Sequence, residues 1–91
     1  MISSAQISIY PLRQEHLGPA VDLVRQTLEA HGLPVEVGPM STMVTGDAVA
    51  VFKALADAYD RAARDGQLVM TVTISNACPV GRQGRDGKRL A

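Results

Sequence analysis

A ferredoxin-like α+β sandwich, a four-stranded antiparallel sheet with two helices on one face, is the fold class the sequence predicts. Three observations lead there. Segments that alternate apolar and polar residues with a period of two flank segments whose apolar residues recur every three to four positions. The resulting order is strand–helix–strand–strand–helix–strand. Right-handed crossovers close that order into a sheet with both helices on the same side. Many unrelated activities share this architecture, so the fold alone assigns no function.

Each element has a local reason. In "AQISIYPL" (5–12) Ile7 and Ile9 alternate with Gln6, Ser8 and Tyr10, the pattern of a half-buried strand. Pro11 ends it, lacking a donor and restricting Tyr10 to extended geometry. Gly18-Pro19 opens a helix, with proline in the first turn where its missing N–H costs least. Leu17, Val21, Val24 and Leu28 form its apolar face, and Gly32 is placed to cap it in a left-handed conformation. "LPVEVGPMSTMVTGD" (33–47) reads as two short strands joined at Gly38-Pro39, the second broken by Gly46. Asp47 is a good N-cap for the next helix, whose expected inward stripe is Phe52, Leu55, Ala56, Tyr59 and Ala63, ending near Gly66. "QLVMTVTIS" (67–75) supplies the last strand. Residues 1–78 are thus expected to form a single domain, followed by a flexible basic tail over 79–91.

The totals exclude several classes. A monomer of 91 residues buries only roughly 60–65% of its unfolded surface. Its single cysteine closes no internal disulfide, and no cysteine–histidine cluster has zinc spacing. Association is the remaining route to stability, so a homo-dimer or homo-tetramer packed through the sheets is expected. Four of the nine basic residues but one of the nine acidic residues lie in 79–91, a balance of +3 that leaves the body at −3. That body presents no basic surface for nucleic acid. With no apolar leader, no segment of membrane-spanning length and a lone thiol, a cytoplasmic protein without membrane or nucleic-acid partners is expected.

If Ile7, Ile9, Val35, Val37, Val72 and Ile74 lie under the helices, the opposite face shows Gln6, Ser8, Tyr10, Glu36, Thr71, Thr73 and Ser75. The third strand adds either Ser41, Met43 and Thr45 or Met40, Thr42 and Val44. This hydroxyl-rich face has three readings: ordinary exposed strands, packing on a partner's sheet, or a polar pocket. In the pocket reading Tyr10 stacks on a heteroaromatic ring and Glu36 offsets a cationic group.

Three blocks, "ISIYPL" (7–12), "VGPMSTMVTGD" (37–47) and "TISNACP" (73–79), resemble the thiamine-binding (YkoF-like) family of small ferredoxin-like proteins. The resemblance covers about residues 5–80. It implies binding of thiamine or its hydroxymethylpyrimidine portion as ligand, without catalysis and without a required cofactor. Some members carry two such domains in tandem, an arrangement that oligomerisation of a single domain would recreate. The resemblance places Tyr10, Ser41, Thr42 and Cys78 in the pocket; strand parity adds Glu36, Thr71, Thr73 and Asn76.

Sharper chemistry finds no support in the residues. His16 and His31 are the only imidazoles and fall about 20 Å apart at the helical rise, too far to serve one site within a subunit. No lysine or histidine neighbours Cys78 in sequence to activate its thiol. No ligand spacing suggests a metal, and Met40 and Met43 are packing material rather than a copper site. The expectation is therefore a non-enzymatic binding protein. The alternative is an interaction or regulatory module whose open face serves subunit packing alone.

Overall fold

Strand β1 (Ile2–Pro11) runs through the middle of the sheet, between β3 (Thr42–Asp47) and β4 (Leu68–Ser75), and β2 (Val35–Val37) flanks β3. The computed structural model describes residues 1–13, 18–64 and 66–77. All three strand pairings are antiparallel. Helices α1 (Gly18–Ala30) and α2 (Ala48–Ala63) complete the order β1-α1-β2-β3-α2-β4, which is the ferredoxin-like α+β fold. The expected tail at 79–91 lies outside the described residues, as do Leu17, His16 and Cys78.

Register decides which residues meet the helices. Ala5 pairs with Val44 and Ile74, and Ile7 pairs with Thr42 and Val72. Directly opposed residues share a face, so Ser3, Ala5, Ile7 and Ile9 form the helix side of β1, with Ile7 and Ile9 placed as the alternation predicts. Pairing of Glu36 with Met43 puts Glu36, Met43 and Thr45 on the open face with Gln6 and Ser8. The core joins Ala5, Ile7, Ile9 and Val44 of the sheet to Val24 and Leu28 of α1 and to Val51, Leu55 and three alanines of α2.

Three expectations are corrected. In α2 the buried stripe is Val51, Ala54, Leu55, Ala58 and Ala62, so Phe52 and Tyr59 point away, 57% and 48% exposed. The physical reason is size. Alanines every four residues let the helix rest close to the sheet, where an aromatic ring has no room. Gly46 does not break β3; it pairs with Ser3 inside the strand. A Cβ there would fall 2.6 Å from Leu33 Cδ2, so the glycine makes room for a buried leucine. Val37 and Val72 lie on the helix side, yet both are exposed because each belongs to an edge strand. Other local signals behave as expected. Gly32 has φ +80°, and the Asp47 carboxylate accepts from the Val49 backbone N–H to cap α2.

Candidate functional site

The sheet contains a notch. β3 pairs with β1 only as far as Ile7↔Thr42, whereas β4 continues along β1 to Pro11. From Ser8 onward, β1 therefore has a strand neighbour on one side only. The Gly38–Ser41 turn crosses the gap, closed by a bond from Gly38 N to Ser41 O of 2.8 Å. The sequence builds this turn for a reason: Pro39 presets its own φ, and Pro has no N–H to pair with a continuing strand.

The resulting cleft has a volume of about 170 Å³. Ile7, Ile9 and Val37 line it from the helix side of the sheet and Val21 from α1; Ser8, Tyr10, Ser41 and Thr42 provide its polar groups. An apolar cavity of about 150 Å³ holds one benzene ring, so this cleft has room for one six-membered ring. Its wall is held by the open-face side chains. Gln6 Nε2 donates to Ser41 Oγ at 3.3 Å, and the Ser8 hydroxyl donates to the Met40 carbonyl at 3.5 Å. Thr42 is only 3% exposed. Its hydroxyl takes part in none of the side-chain hydrogen bonds formed in this region among the described residues. A buried polar group of that kind is costly unless something pairs with it.

The structure divides the sequence-predicted residues. Tyr10, Ser41 and Thr42 come together around the cleft. Thr42 does so from the helix side, because the third strand takes the parity that places Ser41, Met43 and Thr45 on the open face. Glu36 shares that open face but lies outside the cleft lining. Thr71 and Thr73 are exposed across β1, opposite Ser8 and Gln6. Asn76 lies beyond Ser75↔Ser4 at the other end of the sheet, roughly 20 Å from Tyr10 at the rise of a strand. There its amide contacts Met1 Sδ at 3.4 Å. Cys78 lies outside the described residues. Sequence reasoning missed Val21 and the turn residues Gly38, Pro39 and Met40 as cleft walls. The signal for the turn was present in Gly38-Pro39, but reads as a mere connection until the unequal strand lengths are known.

A second, broader hollow of about 460 Å³ lies between the helices, lined by Leu23, Gln26, Thr27, Ala30, His31, Asp57 and Arg61. Its charges are satisfied by one another. Asp57 bonds His31 Nε2 and Arg61 Nε, both at 2.9 Å, and these two contacts, His31 first, hold its carboxyl below the usual carboxylate range. Among the described residues no cluster of three or more His, Cys, Asp or Glu side chains is placed to hold a metal ion. No helix among them is long and apolar enough to cross a membrane.

Solved structures share this architecture. A hypothetical protein of Methanocaldococcus jannaschii superposes with a TM-score of 0.77 at 24% identity, over 85% of this chain and 81% of its own. A Streptococcus pneumoniae protein gives 0.79 at 20% identity, over 89% and 92% of the two chains. A Thermotoga maritima protein provisionally assigned to thiamine biosynthesis or salvage gives 0.73 at 18% identity, over 81% and 82%. No curated protein matches the chain. Residues 5–77 match the family model described as "Thiamine-binding protein", a span that holds the whole sheet apart from the first residues of β1.

Proposed function

The chain belongs to the thiamine-binding protein family, and on that premise we propose that it binds thiamine or its hydroxymethylpyrimidine portion in the cleft at the end of β1. In this reading it is a cytoplasmic binding protein without catalysis. The observation that carries the reading is a ring-sized cleft of about 170 Å³ with a buried threonine hydroxyl on its wall. An aminopyrimidine presents ring nitrogens and an amino group, and so both accepts and donates hydrogen bonds. Thr42 Oγ1 and Ser41 Oγ match it, since a hydroxyl can do either. Tyr10 supplies an aromatic face at the mouth. The cleft is too small for the whole of thiamine, so the thiazolium ring extends over the open face, where Glu36 is the nearest strand carboxylate by sheet position.

The open face mixes hydroxyl and amide side chains with the exposed Ile2, Tyr10 and Val69, and we expect copies of the chain to meet there, leaving the cleft at the rim of the contact. The competing reading, an interaction module, uses that face for packing alone. Thermal unfolding separates the two. At 100 times its dissociation constant a ligand contributes about 2.7 kcal/mol, which raises the midpoint of a domain of this size by on the order of 10 °C. Thiamine, its phosphates and hydroxymethylpyrimidine are the ligands to compare. A rise with hydroxymethylpyrimidine is the expected result. Unchanged midpoints with every one of them at saturating concentration refute the binding reading.

A further inference from the structure

We infer that the hollow between α1 and α2 is a second binding site, which takes the phosphoryl group of a small molecule on His31 and Arg61 and holds it more tightly when His31 is protonated. The volume of this hollow, about 460 Å³, falls within the range of small-molecule sites, which begins near ~300 Å³. It shares no lining residue with the ring-sized cleft at the end of β1.

The chemistry comes from what Asp57 leaves unused. Its carboxylate is held ionised below the usual range and can only accept, so the His31 Nε2 facing it at 2.9 Å carries the hydrogen. Nδ1 is then a lone pair in the neutral ring and an N–H donor in the imidazolium. Arg61 meets Asp57 through Nε, at 2.9 Å. Its two Nη groups take part in no hydrogen bond formed among the described residues of the hollow. The guanidinium thus keeps its terminal fork, whose shape matches two oxygens of a phosphate. Gln26, on the α1 wall, adds an amide. The Thr27 hydroxyl is already committed to the Leu23 carbonyl at 2.8 Å. A fork, a ring N–H and an amide converge from two helices, which suits a tetrahedral anion; a planar carboxylate is satisfied by the fork alone. Leu23 and Ala30 complete the lining with apolar surface for the organic part of the ligand.

Charge decides when the site fills. With a neutral imidazole, Asp57 and Arg61 cancel; with an imidazolium, one positive charge is left over. Imidazole is the side chain whose charge ordinarily changes between about pH 5 and 8, so anion binding beside it takes up a proton. The neighbouring charges do not override this. On α2, Asp60 pairs with Arg64, and Lys53, one turn before Asp57, adds positive charge. On α1, Asp22 and Glu29 pair with Arg25, and at about 100° per residue these three stand on the flank away from His31. The link from His31 to Pro34 has no other charged residue, and the one charge of β2, Glu36, lies on the open face.

Sulfate is the probe, because its charge is constant over this pH range, with chloride at matched ionic strength as the reference for screening. The His31 ring resonances of the full chain are followed during titration at about pH 6 and about pH 8. Wild type is compared with Arg61→Gln and with Arg25→Gln, the same charge change on the far flank of α1. Arg61 is exposed and its pair with Asp57 adds little to stability, so the variant keeps the fold. The expected result is sulfate binding that weakens about tenfold at the higher pH and about tenfold or more in Arg61→Gln, with Arg25→Gln like the wild type. Inorganic phosphate and glycerol phosphate form separate arms, and the tighter of the two tells a free ion from an esterified one. Shifts no larger than those with chloride overturn the proposal, as does an Arg61→Gln variant that binds like the wild type. Equal affinity at both pH values overturns it too, as does failure of both phosphate compounds to bind. An equal loss in Arg25→Gln also overturns it, because net charge then explains the binding.

Discussion

A hydroxyl enclosed in the wall of a cleft acts in opposite directions on folding and on binding. Thr42 is buried on the helix side of β3 with an apolar pair partner, Ile7. Replacing it by Val keeps the shape and removes the group that desolvation penalises. Thr42→Val is therefore expected to leave unfolding stability unchanged or slightly raised. Ligand affinity falls by about 1 kcal/mol, a factor of five or so, if the hydroxyl bonds the ring. Calorimetric titration and denaturant melts of the same variant check both halves. Equal affinity in wild type and variant removes Thr42 from the site. This residue shows what was legible and what was not. Its place in a block with Ser41 was visible in the sequence, but its side of the sheet was not. Met40 through Thr45 alternates residues of similar polarity, and such a strand does not declare its own parity. Tyr10 was legible on both counts, because Ile7 and Ile9 fix the faces of β1.

At the scale of elements, the misread helix is instructive. Phe52 and Tyr59 are the two aromatic side chains of α2, so size and hydrophobicity alone direct them inward. The structure buries Ala54, Ala58 and Ala62 instead, since nearness to the sheet rather than side-chain area sets that interface. The strand before it obeys the same constraint through Gly46. Gly46→Ala pushes a methyl into Leu33 Cδ2, with Val51 Cγ2 also within 3.6 Å, and is expected to cost about 1–3 kcal/mol in denaturant melts. A stability equal to wild type shows that Leu33 has space to yield. The two helices are also linked by His31, Asp57 and Arg61. The Asp57 carboxyl titrates below its ordinary value, chiefly through the His31 contact. Its contribution is therefore present above the unfolded-state value near pH 4 and is lost as pH falls through the lower folded-state value. Asp47 is depressed in the same direction by the N-terminal ammonium and by the α2 cap. Asp57→Asn is expected to flatten the acid limb of the stability–pH curve while leaving that of Asp47. An unchanged acid limb shows that the exposed pair is screened to nothing. The partner of His31 lies 26 positions away, beyond the reach of local sequence reasoning.

For the whole molecule, element order and fold class were legible because Gly, Pro and an N-cap punctuate the chain between the elements. The cleft was not, since it arises from a mismatch in strand length: ten residues in β1 against six in β3. Pattern reports which residues alternate but not where a neighbouring strand stops. The same length of β1 has a consequence in time. Within this domain β1 is synthesised before the other elements, and its most extensive partner, β4, after them. Ile7 and Val72 meet across nearly the full folded span. While α1, β2, β3 and α2 are being made, β1 has only β3 to pair with, and the side that will hold β4 stands open. At ordinary translation speeds of about 5–20 residues per second, that interval lasts seconds. Until β4 is free to pair, the sheet of this domain has no complete arrangement to fold into, because β1 lacks its longest neighbour.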